Sequence, residues 1–263
     1  MQLLLTQQAI QSSVGLPHYS KNMERTTGPH GHGRYYVVNK HIKLPSVTTI
    51  LGEMTDKSGI EKWKKRVGEE EANKISHNAA SRGTFMHELN ERYMYLLMNE
   101  KNTNGILKKT FEDVLAKPEM AEIAPENKEN GKNLFMKFLN NGSFNRVEKL
   151  LYQEEAVWSG RGGGYAGTLD KAAKIDGKLK IVDYKSSRKP KPEKWIDNYK
   201  MQGAAYAVAY YDVYGEMPEA AEIWIANDVT DEPQIFELNQ QEIKFWFEKF
   251  YELVKGYHEK YTK

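Results

Sequence analysis

The stretch Gly164-Tyr165-Ala166-Gly167-Thr168-Leu169-Asp170-Lys171-Ala172-Ala173-Lys174-Ile175-Asp176-Gly177-Lys178-Leu179-Lys180-Ile181-Val182-Asp183-Tyr184-Lys185 decides the reading of this chain. Asp176-Gly177 is a two-residue type I′ turn signal between two β-like segments. If it closes a regular hairpin, Ile175 lies opposite Lys178, and each outward step keeps the sum of the two numbers. Asp170 then faces Asp183, and Thr168 faces Lys185. Cβ atoms paired across a strand lie about 4.5–5.5 Å apart, so the turn alone predicts two carboxylates in one small site.

The alternation of side chains sharpens the prediction. Leu179, Ile181, Asp183 and Lys185 point one way, and Lys178, Lys180, Val182 and Tyr184 the other. Both faces become apolar near Asp183, so this end of the strand reads as central and buried. Two like charges facing each other there are destabilising unless a cation or a proton lies between them. The competing reading is an exposed hairpin whose charges align by chance, or a register broken by a bulge.

Outward from the hairpin, residues 150–158, 165–175 and 178–185 read as strands. Pro190-Lys191-Pro192 introduces a helix from Glu193 to about Tyr214. Strands at Ala221–Ala226 and Gln234–Leu238 follow, then an amphipathic helix from Gln240. Upstream, the strand Arg34–Val38 leads through Asn39-Lys40 to a second extended segment and on through Leu44-Pro45-Ser46-Val47-Thr48-Thr49-Ile50-Leu51. Helices are expected at 60–77 and from Ser81 to about Met98. The charged stretch 101–146 reads as two helices broken around Pro118, Pro125 and Gly142. Residues 1–33 read as a flexible arm, in which His30 and His32 are exposed imidazoles of a turn sooner than metal ligands. The expectation is one α/β domain over 34–263, a central mixed sheet flanked by helices, with an additional helical region at about 60–146.

Composition bounds the chemistry. Of 263 residues, 40% are hydrophobic and 28% charged, ordinary values for a folded globular chain. There is no cysteine, which removes disulfides, thiol nucleophiles and Cys-ligated zinc or iron–sulfur sites. A metal must be held by carboxylates, histidines or carbonyls, which favours hard cations such as Mg²⁺, with Mn²⁺ as substitute. A net charge of +2 says little about partners. No apolar run approaches the roughly 18 residues of a membrane span. The start, Met1-Gln2-Leu3-Leu4-Leu5, has no secretory pattern, and Lys21 and Arg25 are the only basic residues among the first 25. A cytoplasmic setting, for instance a phage-infected bacterial host, is the expectation, with a mitochondrial one left open.

The segments Gly164–Asp170 and Ile181-Val182-Asp183-Tyr184-Lys185-Ser186-Ser187 resemble the nuclease motifs of RecB-type PD-(D/E)XK enzymes. Gln202-Gly203-Ala204-Ala205-Tyr206 resembles the Q-x-x-x-Y motif of that branch, and Arg82-Gly83-Thr84-Phe85-Met86-His87 its R-G-x-x-x-H helix start. Ser46-Val47-Thr48 and Lys189-Pro190-Lys191-Pro192 are similar, more narrowly, to phage exonucleases and the mitochondrial genome maintenance exonuclease.

The resemblance implies a restriction-endonuclease-like sheet and a Mg²⁺-dependent deoxyribonuclease. Asp170 and Asp183 would hold metal with the backbone carbonyl of Tyr184, and His87 would add a ligand. Glu154 would be the acid of the preceding strand, with Glu155 as the alternative. Lys185 could orient water, stabilise negative charge or act as base. Branches with an iron–sulfur cluster need four cysteines and are excluded.

Other residues admit two readings. On a helix 81–98, His87 lies off the main apolar stripe with Glu91 one turn on, so it either faces the site or forms a solvated pair. Gln202 interrupts an aromatic stripe of Trp195, Tyr199, Tyr206 and Tyr210, either as part of the site or as a tie to the sheet. The run Lys185–Lys194 is a phosphate-tracking loop or a solvated one. Arg82, Thr84, Ser186, Ser187, Arg188, Lys189, Lys191 and Tyr206 are the candidates for nucleic-acid contact. The expected activity is exonucleolytic cleavage of DNA, more so single-stranded. The alternatives are a structure-specific endonuclease on the same core and a non-catalytic DNA-binding protein.

Overall fold

The structure is a computed structural model, and it describes residues 23–28, 33–38 and 41–261. The His30 and His32 reading lies outside these. Strands β1 (Glu24–Thr27), β2 (Arg34–Val38) and β3 (Ile42–Pro45) form a small antiparallel sheet. Part of the segment expected as a flexible arm is therefore strand, because β1 pairs with β2 along its whole length. Ser46 caps the next helix, α1 (Val47–Met54), its side chain accepting from the Thr49 N–H at 2.9 Å. The β-branched Val47, Thr48 and Thr49 are thus helical. The cap and the burial of Val47, Ile50 and Leu51 outweigh their strand preference.

Helix α2 (Ser58–Val67) ends at Gly68, whose φ of 87° turns the chain into α3 (Glu69–Asn99), 31 residues long. The sequence placed a break near residues 77–81, but the helix runs through it. Gly83 costs about 1 kcal/mol in helix propensity and Ser81 about half that, and the buried Arg82, Phe85, Met86 and Leu89 outweigh that. The Arg82-Gly83 motif accordingly sits in mid-helix, not at a helix start. The stretch 101–146 holds three helices where two were expected, α4 (Ile106–Leu115), α5 (Pro118–Ala121) and α6 (Pro125–Asn140). Each of the last two starts with proline at its first position, where no amide partner is needed.

The main sheet has the order β4 (Val147–Ser159), β5 (Tyr165–Ile175), β6 (Lys178–Ser187), β7 (Ala220–Asn227), β8 (Gln234–Asn239). All neighbours are antiparallel except β6 and β7, so a crossover is required between them. Helix α7 (Asp197–Tyr214) makes it, preceded by a single turn at Glu193–Trp195 that replaces the expected helix start. Trp195 is consequently off the helical stripe and 67% exposed. Helix α8 (Gln240–Tyr261) closes the chain.

Both faces of the sheet are covered. Leu179 and Ile181 pack with α1, α7 and α8, whereas Val182, Tyr184 and Trp224 pack with α3 and α6. This is a restriction-endonuclease-like mixed α/β architecture, with β6 in its centre. A bridge between Ser46 and Ala166 joins the small sheet to β5.

Candidate active site

The turn at Asp176-Gly177 has positive φ at both residues, 51° and 77°, as a type I′ turn requires. The expected register holds through five pairs, from Ile175↔Lys178 to Lys171↔Val182, and there the β5–β6 ladder stops. Asp170 therefore does not pair directly with Asp183, nor Thr168 with Lys185. The Tyr184 N–H, which in a continued ladder would meet a β5 carbonyl, donates instead to Asp170 Oδ2 at 2.7 Å. A residue's N–H and C=O face the same neighbouring strand, so the Tyr184 carbonyl also faces this gap.

The partner strand is distorted at the same level. Between the pairs Gln153↔Lys171 and Glu155↔Leu169, Glu154 stands against Asp170 with a φ of 45°. A non-glycine residue with that φ inside a strand is strained by about 1–3 kcal/mol. His87 on α3 brings Nδ1 to 3.6 Å from Asp170 Oδ2 and sets its ring edge-on to Tyr184. His87, Glu154 and Asp170 each offer a ligand atom within 4.8 Å of the others. Glu155, the alternative acid, accepts from the Tyr214 hydroxyl at 2.6 Å and is absent from that cluster.

Asp183 is 1% exposed. Gln202 Nε2 donates to its Oδ1 at 3.0 Å and to the Tyr206 hydroxyl at 3.3 Å. Lys185 Nζ is 2.5 Å from Oδ2 and forms an ion pair with it. Burial pushes the Asp183 carboxyl up to about 6 against the pull of Lys185, and the Asp170 charge adds to the rise. Burial disfavours the Lys185 charge, but Asp183 and Asp170 outweigh it and raise its pKa, so the site holds an ammonium. Burial, then Asp170 and Glu91, pushes the Glu154 carboxyl up. The residue as a whole is exposed, so water screens part of that push.

The Glu154 and Asp170 oxygens gathered beside His87 suit a hard divalent cation, while Asp183 stands outside that cluster of three. The neighbouring imidazole is a donor that Mn²⁺ tolerates more readily than Mg²⁺. The donor set fits a metal site.

The remaining candidates divide between surface and interior. Arg82 is buried and its Nη1 is held by both Asp228 oxygens at 2.9 and 2.7 Å. Tyr206 is 4% exposed and packs against Gly167, where a Cβ would stand 2.5 Å from its ring. Thr84, Arg188 and Lys189 are exposed, Ser186 and Lys191 half-buried, and Ser187 buried with its hydroxyl donated to the Lys189 carbonyl. The loop carrying them is pinned, since Lys191 exchanges two hydrogen bonds with the Gln234 side chain at 2.6 and 3.0 Å.

Some neighbours of the site were invisible in the sequence. Arg25 on β1 donates to Thr168 Oγ1 at 3.0 Å, the Tyr36 and Thr168 hydroxyls share a hydrogen bond of the same length, and the Arg25 charge is felt by Glu154. Tyr199, which the sequence places only on the aromatic stripe, sets its ring 5.4 Å from Lys185 Nζ. Arg25 is 143 residues from Thr168, and no motif or periodicity links them.

A model of the PD-(D/E)XK nuclease superfamily matches residues 60–262. No curated protein matches the sequence significantly. Among solved structures, the chain is similar to a Eubacterium rectale protein described provisionally as an exonuclease, at 12% identity and a TM-score of 0.40, over 66% of this chain and 68% of that one. It is also similar to the protein SSO0001, at 20% identity and a TM-score of 0.28, over 63% and 84%. Likenesses this loose carry no weight on substrate or mechanism.

Proposed function

The chain belongs to the PD-(D/E)XK nuclease superfamily, and from that premise we propose that it is a Mg²⁺-dependent exonuclease acting on single-stranded DNA ends. The observation that carries the hydrolytic part is the carboxylate of Asp183. It is buried, has one oxygen fixed by Gln202 and the other ion-paired with Lys185. Exonuclease mode and strand preference are supported by the resemblance of Ser46-Val47-Thr48 and Lys189–Pro192 to phage and mitochondrial exonucleases.

Asp170, Asp183, His87 and the Tyr184 carbonyl would hold the ion, together with Glu154, whose oxygen joins His87 and Asp170 in one cluster. A bound Mg²⁺ acidifies its water and polarises a phosphoryl oxygen. The chain's own groups do the rest. The Tyr184 N–H fixes one oxygen of Asp170, and Gln202 fixes one of Asp183, so each acid would present its other oxygen to an ion in a set orientation. Lys185, held as ammonium, neutralises charge that develops on the phosphate; donors aimed at such charge are worth about 3–4 kcal/mol. Arg188 and Lys189 are exposed on the loop that leaves the catalytic strand and would meet the substrate backbone.

The test uses end-labelled linear single-stranded DNA and its circular counterpart with Mg²⁺, Mn²⁺ or EDTA. Metal-dependent loss of the linear form alone, abolished in Lys185→Ala and Asp183→Asn, is expected. Cleavage of the circle would make it an endonuclease. Equal activity in the variants would place the active site elsewhere.

A further inference from the structure

Helix α2 is unusual in having no buried residue. Lys62, Lys65 and Arg66 lie at i, i+3 and i+4 and share one side of it. Ile60, Trp63 and Val67 share the other, and Ile60 is 59% exposed. Among the described residues no hydrogen bond or ion pair within 4 Å engages the side chain of Lys62, Lys64, Lys65 or Arg66. The acids that follow, Glu69, Glu70 and Glu71, occupy the first turn of α3, where the helix dipole favours them. A helix this polar and this uncovered gains little from packing, and its marginal length gives it little stability of its own.

Its place in the chain explains why it is kept. Just before it, Thr55 accepts from Asn198 at the start of α7 at 3.3 Å, one residue from Tyr199, whose ring neighbours Lys185. Just after it, α3 reaches the other face of the sheet, where Gly83 lies against Ser186 and His87 against Asp170. Both anchor points are at the end of β6 that carries Lys185. The chain between Thr55 and Arg82 therefore connects two points that flank this end of the sheet. It consists of α2, about 15 Å long, and the first turns of α3, in which only Ala72 is buried among residues 69–81.

We propose that α2 is a phosphate-tracking arch that holds a single strand of DNA over the catalytic end through Lys62, Lys65 and Arg66. The proposal rests on the nuclease reading above and names where its substrate runs before it reaches the acids. The charge pattern fits a polyanion, and the two ends of the span flank the site.

The test measures binding of a fluorescent single-stranded 20-mer to the full chain by anisotropy in EDTA, over a range of salt. The variant Lys62→Gln/Lys65→Gln/Arg66→Gln is compared with Lys62→Arg/Lys65→Arg. Each neutralised phosphate contributes about 0.7 to the salt slope of a single strand, so the first variant should lower the slope by about 2 and weaken binding at least tenfold at low salt. The charge-conserving variant should bind as wild type does. Because no side chain of α2 is buried, thermal stability should be unchanged in both. Unchanged affinity and slope in the neutralised variant would overturn the proposal. So would a loss confined to binding of anionic lipid vesicles, which would make α2 a membrane-facing helix. The two readings fail separately: cleavage with unaltered α2-variant binding removes the arch only, whereas α2-dependent binding without metal-dependent cleavage removes the nuclease reading only.

Discussion

Gln202 on α7 holds Asp183 on β6 through one hydrogen bond of 3.0 Å to Oδ1. A hydrogen bond to the charged form of a carboxyl lowers its pKa, so this amide works against the burial that raises Asp183. Gln202→Leu should push that pKa further above 6 and let protons compete better with metal. Mn²⁺ affinity measured by calorimetry should fall at pH 6 and approach the wild-type value near pH 8. An equal loss at both pH values would leave Gln202 as a structural tie.

Glu154 combines a positive φ with an acid facing an acid. Glu154→Gly should relieve the backbone strain, offset in part by the roughly 0.5–1 kcal/mol entropic cost of glycine in a strand. The expected result is a protein as stable as wild type, or about 1 kcal/mol more so in urea, that binds Ca²⁺ or Mn²⁺ at least tenfold more weakly, about 1.4 kcal/mol. Undiminished metal affinity would put Glu154 outside the metal's ligands.

Lys171 is fully buried next to the site, its Nζ donating to the Tyr184 hydroxyl at 2.8 Å and lying 4.3 Å from the centre of the Trp224 ring. Burial pulls its pKa down to about 7, against the favourable charges of Glu222 and Asp170; the aromatic faces also favour the charged form. The unfolded chain then binds more protons than the folded one between about pH 7 and 10.5, so this group's destabilising effect is complete below pH 7 and fades as pH rises. Lys171→Met with Tyr184→Phe should be more stable than wild type by about 1–4 kcal/mol at pH 6. Thermal melts should show the gap narrowing by pH 10.

Gly167→Ala places a methyl group 2.5 Å from the buried Tyr206 ring. Overpacking of this kind costs about 1–3 kcal/mol. Because Tyr206 also accepts from Gln202, the displacement should reach Asp183. DNA cleavage should fall more than the drop in melting temperature explains, and pairing the change with Tyr206→Phe should not restore it, since the ring still fills the space.

The hairpin was legible because Asp176-Gly177 sets register by local chemistry, and the five pairs beside the turn obey it. What failed was the sixth pair, since a side chain that replaces a backbone acceptor leaves no trace in an alternation pattern. Asp170, Asp183, Lys185, His87, Glu154 and Gln202 do converge on one end of the sheet. Arg82 and Tyr206, candidates for nucleic-acid contact, are buried, because a motif does not say whether its residues face outward. The 31-residue α3 was divided in two because Ser81 and Gly83 weaken local propensity, and the burial that overrides it comes from residues distant in sequence. Arg25 and Lys171 depend on contacts that only the closed fold supplies.

The early end of the β5–β6 ladder makes one amide proton a reporter. Tyr184's N–H is protected by a carboxylate, not by a neighbouring backbone, so its exchange with solvent should track the state of Asp170. Amides a few residues down the hairpin, within the paired segment, should be indifferent to metal. Occupancy of the centre could then be followed by hydrogen exchange at a single position, without substrate and without turnover.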